Sequence, residues 1–307
     1  MLKNGCIIDS SIIEHNGYVY FIGGFKYTPN GKQYSKYITR VTTEDFISYF
    51  QDHKQLNDEV VAEFNEDISL TSAIAHDKFI FIIGGALEKK ASDCDYVYDI
   101  EKSTLEKLIY KHPGEPCRMN LQKVHHEDAV YIYSFSGFNY NHDYNVYYTR
   151  IVDSELTGWV KGLFKIKYAK DSIVHYNYQT HVFELYGGKD ANNEVTNLYR
   201  ETSAPFIEVD HVDTLDIDSI SSAYYCPYKD GFIIAGGQNN NRKKSDIVYH
   251  VRRNEHTAEH EYIDIGNMSR PLSHVNALLI GNTLYVLSGY SNEGIPVENI
   301  ESIKLEF

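Results

Sequence analysis

Short apolar runs that end in glycine punctuate the chain. FIFIIGG closes at Gly85, and its relatives are YVYFIGG at Gly24, VYIYSFSG at Gly137, VFELYGG at Gly188, FIIAGG at Gly237 and LYVLSG at Gly289. The six closing glycines are 61, 52, 51, 49 and 52 residues apart, a period longer than that of the short solenoid repeats. Each repeat runs in one order: a polar start, a short strand, a tight turn, a strand into the glycines, a polar loop and two further strands. In the second repeat these read SAIAHD, KFIFIIGG, CDYVYDIEK and TLEKLIYK. Strands rich in Val, Ile, Tyr and Phe, broken by Gly, Asn and Asp, predict antiparallel sheet with four strands per repeat.

On these residues the chain resembles the kelch-repeat family of six-bladed β-propellers over essentially its whole length. The resemblance implies an all-β fold forming a single propeller domain over residues 1–307. Two departures stand out: Ser136-Gly137 and Ser288-Gly289 replace the glycine pair, and the outer-strand tryptophan of the family occurs once, as Trp159.

The glycines read as structural. Where neighbouring sheets crowd together, the residue ending the second strand must lack a side chain or take a dihedral that glycine adopts cheaply. A phosphate cradle is disfavoured, because no helix follows the glycines and GxGxxG is absent. The last repeat stops one strand short, so residues 2–8 are expected to supply its outer strand and close the ring. The long first spacing reflects an insertion, TTEDFISYFQDHKQLND at residues 42–58. Thr43 is the expected cap of a short amphipathic helix there, packing its aromatic face on the first blade.

Composition narrows the partners. With 29 basic and 43 acidic residues the formal charge is −14, which repels phosphate backbones and argues against nucleic acid or an anionic membrane. Cys6, Cys94, Cys117 and Cys226 are widely spaced with no CxxC, as expected in a reducing cytoplasm. The opening segment, broken by Asp9 and two serines, reads as a poor secretory signal, and no apolar run is long enough to span a membrane.

Candidate chemistry lies in the loops after the glycines, at 25–33, 86–92, 138–144, 189–195, 238–245 and 290–296. Asparagine supplies a donor and an acceptor and tyrosine a flat face with a polar tip, which suits a sugar or a peptide backbone. The candidate ligand residues are Tyr27, Asn139, Tyr140, His142, Asp190, Asn192, Gln238, Asn239, Arg242, Tyr290, Asn292 and Glu293. Asparagine also fills loops for its turn dihedrals, and for any single one the turn reading leads. Arg118 and Arg270, just before the first strands of repeats three and six, could face each other across the channel mouth as an anion site; taken singly, each reads first as a surface arginine bonded to a neighbouring blade.

HTAEH at 256–260 matches a zinc-protease string, but it falls on a turn and an outer strand where a helix would be needed. His15, His76, His125 and His126 fall at hairpins and read as structural. No GxSxG or Walker sequence is present, and neither a metal nor a cofactor is expected.

Two functions fit. The leading one is a binding module whose loop face holds a protein, a peptide or a carbohydrate. The alternative follows from a second resemblance, to the bacterial sialic acid mutarotases, free-standing six-bladed kelch chains of this length. It implies a mutarotase or epimerase for sialic acid or a similar acidic sugar, with Arg118 or Arg270 as the cation and Glu293, Asp190, His142 or Tyr140 as acid or base. A copper oxidase of the galactose-oxidase kind would need a further domain and a Cys-Tyr-His ligand set that the sequence does not assemble.

Overall fold

The computed structural model describes all residues except 1, 53–55, 88–89, 115, 136–137, 140–144, 166–169, 190–191, 204–206, 216, 218–220, 255–256, 258 and 306–307. The chain divides into two compact units, Met1–Asp143 with Tyr147–Lys161, and Tyr144–Val146 with Gly162–Phe307. None of its described helices is long and apolar enough to cross a membrane.

In the first unit, Ser11–His15, Tyr18–Ile22, Tyr37–Thr42 and Glu59–Glu63 form one antiparallel sheet, and Ser72–His76, Phe79–Ile83, Tyr96–Asp99 and Thr104–Lys107 form the next. A third is built on Asn120–His126, Ala129–Phe135 and Asn145–Val152, with Glu155–Leu156 and Val160–Lys165 both on its last strand. The apolar runs are buried on both faces, which is why they read as continuous and not alternating. Ile80 and Ile82 pack with Tyr20, Ile22 and Ile68 on one side, while Phe81 and Ile83 pack with Ile132 and Ile151 on the other.

The second unit repeats this arrangement. Ile173–Asn177, Val182–Tyr186, Leu198–Ser203 and Ile207–Thr214 make one sheet. Tyr224–Tyr228, Gly231–Ala235, Ser245–Arg253, His260–Ile280, Thr283–Tyr290 and Pro296–Lys304 make another, of six strands. Among the described residues there are thus five sheets of four or more strands, not the six expected. The 21-residue strand His260–Ile280 joins repeats five and six. Its first part pairs with Ser245–Arg253 and its last part with Thr283–Tyr290. Between them Ser245 opposes Leu272 while Ile247 opposes Asn267, so the intervening residues bulge out and the chain continues extended into the second ladder.

The glycines do what the sequence implies. A Cβ on Gly23 would lie 2.3 Å from the carbonyl oxygen of Ile68, in the segment entering the next sheet, and one on Gly236 would lie 2.5 Å from that of Leu272. Gly24 and Gly237 donate their N–H groups to these same two carbonyls, at 2.8 and 2.9 Å. Close approach between successive sheets therefore excludes a side chain at each of these sites.

The N-terminal segment corrects a second expectation. Leu2 bridges to Leu56 and Ile8 to Phe25, and the Asp58 carboxylate accepts the N–H groups of Lys3 at 2.6 Å, Asn4 at 3.0 Å and Gly5 at 2.6 Å. These contacts hold residues 2–8 against the segments that connect the strands of the first sheet, whereas the last strand, Pro296–Lys304, pairs with Thr283–Tyr290 alone among the described strands. An anionic side chain beside three backbone donors outcompetes an outer-strand ladder for this segment.

The helix of the insertion spans Thr43–Asp52. Its cap is Thr42, one residue earlier than expected, whose hydroxyl accepts the Asp45 N–H at 3.0 Å and donates to the Asp45 carboxylate at 2.8 Å. Phe46 is buried, with its ring centroid 6.3 Å from that of Phe21 in the first sheet and 5.2 Å from that of Phe50, so the aromatic face packs inward.

Candidate functional site

A backbone feature marks the entry to each repeat. Asp9, Leu70, Arg118, Asp171, Ser222 and His274 all take left-handed dihedrals, with φ between 48° and 58°. Within the first unit Leu70 N–H donates to the Asp9 carbonyl at 2.7 Å and Arg118 N–H to that of Leu70 at 2.9 Å. Within the second, Ser222 N–H donates to Asp171 at 2.9 Å and His274 N–H to Ser222 at 2.5 Å. Each unit thus strings three entry residues together, and their side chains are brought side by side by main-chain bonds that hold for any residue type.

In the first unit the string carries one ion pair, Arg118 with Asp9. In the second it carries a denser group. The Asp171 carboxylate receives the Lys189 ammonium at 2.8 Å and the Ser222 hydroxyl at 3.1 Å, and Lys189 also donates to the Ser222 oxygen at 2.8 Å. His274 Nε2 lies 3.9 Å from the same carboxylate oxygen. The Asp171 and Lys189 side chains are each 8% exposed and that of His274 24%, so the imidazole is the member open to solvent. Its ring stands edge-on to Tyr290 at 5.4 Å. Burial alone would raise the Asp171 carboxyl, but Lys189, His274 and Lys170 together hold it below its ordinary range.

Beside this string the residue after the glycines sits in a three-membered ladder. Lys189 bridges Lys170 on one side and Val195 on the other, and Gln238 bridges Ser221 and Lys244. Lys170, Lys189 and Lys244 are all buried. Lys170 donates to the Asn193 side chain and Lys244 to the Ser291 carbonyl. Desolvation lowers the pKa of both Lys170 and Lys244, and the charge of Lys189 adds to the effect.

The sequence candidates distribute unevenly around this group. Gln238 and Tyr290 lie within it. Asn292 accepts the Lys244 N–H at 3.3 Å, and Ser291 donates to the exposed Glu293 carboxylate at 2.6 Å. Asn239 spends its side chain on the N–H groups of Asn241 and Lys243, at 3.0 and 3.1 Å, which is the turn-making role. Asn192 and Arg242 are exposed on their loops. Arg270 is an exposed residue of the long strand, and Arg118 is already engaged with Asp9. Tyr27 is 49% exposed and stacks edge-on to Phe25 at 5.6 Å, in the first unit. Asn139 pairs through its backbone with Pro116. Tyr140, His142 and Asp190 lie outside the described residues, as does His256 of the HTAEH string. His260 of that string is in a strand, with its ring 4.4 Å from Tyr199.

Asp171, Lys189, Ser222, His274, Lys170 and Lys244 are absent from the sequence candidates. A signal existed: Asp171, Ser222 and His274 precede the closing glycine of their repeats by 17, 15 and 15 residues, and Lys189 follows its glycine pair directly.

No family model matches the chain, and no curated protein matches it in sequence. Among solved structures, one titled "Structure of YjhT" superposes with a TM-score of 0.65 over 99% of this chain and 99% of that one, at 12% identity. That likeness joins the serial antiparallel sheets already seen. The fold is a β-propeller. At this identity the likeness is one of fold, and 363 solved chains share it to a significant degree, so the propeller alone selects no ligand. The choice of function rests on the side chains.

Proposed function

We propose that this propeller binds an acidic sugar at the Asp171–Lys189–Ser222–His274 group and interconverts its anomers, as a mutarotase does. The observation that carries the reading is the contact set around Asp171: a buried carboxylate fixed by an ammonium and a hydroxyl, with a partly exposed imidazole 3.9 Å away. Opening and closing a sugar ring needs a proton taken from the anomeric hydroxyl and one given to the ring oxygen. Imidazole exchanges protons near neutral pH without special tuning. His274 is the residue in this role, and the nearby negative charge of Asp171 stabilises the imidazolium formed when it accepts a proton. Lys189 keeps Asp171 ionised. Tyr290, beside His274, offers the flat apolar face on which a sugar ring stacks. The resemblance to the sialic acid mutarotases and the whole-chain likeness to YjhT support the architecture.

The test is a thermal-melting screen against sialic acid, other acidic sugars and neutral sugars, followed by NMR of anomer exchange. A ligand at a hundred times its Kd stabilises by about 2.7 kcal/mol. Acidic sugars are expected to raise Tm, and His274→Ala to slow exchange by roughly 100-fold or more while binding persists. Binding without accelerated exchange would make the chain a carbohydrate-binding module. A melting curve that no sugar moves would overturn the reading and favour a peptide or protein on the loop face.

A further inference from the structure

Asparagine side chains tie the loops of the second unit to one another. Two of these loops first close on their own glycines: Thr196 N–H donates to the Gly188 carbonyl at 2.9 Å and Ser245 N–H to that of Gly237 at 3.0 Å. The residue before each, Val195 and Lys244, is the seventh after its closing glycine, and it gives its N–H to the next loop. Val195 N–H donates to the Asn240 side-chain oxygen at 2.5 Å, and Lys244 N–H to that of Asn292 at 3.3 Å. Asn240 and Asn292 are each the third residue after their closing glycine, where the other four repeats carry Tyr27, Glu88, Tyr140 and Ala191. One bond thus recurs at fixed offsets, from repeat five to four and from six to five. Pro296, the seventh residue after Gly289, has no N–H with which to extend the series.

Both asparagines are exposed, so exchanging water for these bonds gains little stability. What the bonds fix is the place of the neighbouring loop. Val195 bridges Lys189, whose ammonium is the counter-ion of Asp171, and the Asp171 carboxylate faces His274. Lys244 bridges Gln238, and its ammonium donates to the carbonyl of Ser291, next to Tyr290. We infer that Asn240 and Asn292 are positioning residues, which lace the loops 189–195, 238–245 and 290–296 into one rigid rim over the Asp171–Lys189–Ser222–His274 group. Each amide oxygen is committed to the loop before it, so Asn240 acts through Val195 and Lys189, and Asn292 through Lys244. Displacing a preorganised group by a fraction of its contact distance costs rate more than binding. That the rim serves anomer exchange rests on the mutarotase reading; that the loops are laced does not.

Two measurements on the full chain keep these apart. Amide hydrogen exchange is read first, without ligand. The Val195 and Lys244 N–H groups are expected to be protected, and to lose roughly tenfold or more of that protection in Asn240→Ala and Asn292→Ala respectively. Asn240→Asp and Asn292→Asp keep the shape and the accepting oxygen and should restore it. Anomer exchange of sialic acid is read second: Asn240→Ala is expected to lower kcat about tenfold with KM within about twofold, and Asn240→Asp to recover kcat. Unprotected amides in the parent, or protection unchanged in the alanine variants, would overturn the lacing whatever the sugar does. Lost protection with kcat unchanged in Asn240→Ala would overturn the positioning role, and so would a raised KM at constant kcat, which would make Asn240 a ligand contact. A parent that exchanges no sugar while both amides are protected would overturn the mutarotase reading and uphold the lacing.

Discussion

In the first unit the ladders beside the glycines read Ile8, Phe25, Tyr34 and Ser69, Ala86, Ala91; in the second they read Lys170, Lys189, Val195 and Ser221, Gln238, Lys244. The backbone pairing is the same, and the chemistry is not. The entry strings differ likewise: Asp9, Leu70 and Arg118 form one ion pair, whereas Asp171, Ser222 and His274 gather a lysine and form a connected polar group. Two buried carboxylates make the contrast sharper. Asp95 in the first unit accepts N–H bonds from Gly84 at 2.8 Å and His112 at 2.6 Å, yet burial outweighs them and its carboxyl is pushed up to about 6. Asp171 meets the same burial and is held low by surrounding cations. The repeat fixes where side chains stand, and a few substitutions decide whether the place is a core or a site.

The largest expected effect breaks the comparison at its charges. Asp171→Asn suits the left-handed dihedral and keeps the shape, but leaves Lys189 buried without its counter-ion, at a cost of about 3 to 5 kcal/mol in urea unfolding. Asp9→Asn, opposite an arginine that stays partly exposed to water, should cost less, about 1.5 to 3 kcal/mol. Equal losses would mean that the two strings are equivalent. Next come the glycines, where the units should behave alike: Gly23→Ala and Gly236→Ala each force a Cβ against a carbonyl and into a positive φ, costing about 2 to 4 kcal/mol. Tolerance of either would mean that successive sheets are free to separate there.

The pH dependence should have opposite signs in the two units. Asp95, raised from 3.8 to about 6, contributes stability that is fully present at low pH and lost as pH rises through its folded value. The change is on the order of 2 to 3 kcal/mol, and Asp95→Asn should abolish it. Asp171, held low, contributes stability present above the ordinary carboxylate range and lost in acid below it. Unfolding curves of Asp95→Asn and Asp171→Asn across this range check both signs, and a shared sign would contradict the contrast. The smallest effect concerns Asn239→Ala, which removes a turn acceptor and should cost about 0.5 to 1.5 kcal/mol with ligand affinity unchanged. A tenfold loss of affinity at constant stability would make Asn239 a ligand contact after all.

Strands and glycines were legible because burial on both faces and close approach constrain residue type directly: FIFIIGG cannot be written with polar residues or a β-branched ending. The fusion of repeats five and six was hidden because Pro271 cannot donate to a ladder, yet it lies inside His260–Ile280, among the residues between Asn267 and Leu272 that bulge opposite Ser245–Ile247. The site was hidden for a different reason. Asp171, Ser222 and His274 share a dihedral, and stand 17, 15 and 15 residues before their closing glycines, but share no residue type, so composition could not group them. The asparagine-rich loops drew the eye, and Asn239 turns out to brace its own turn.

The most direct test is a crystal structure grown with N-acetylneuraminate. The account predicts the sugar ring beside His274 and Tyr290, with its anomeric hydroxyl within hydrogen-bond distance of the His274 imidazole. A ligand bound elsewhere on the propeller, out of reach of His274, would contradict it.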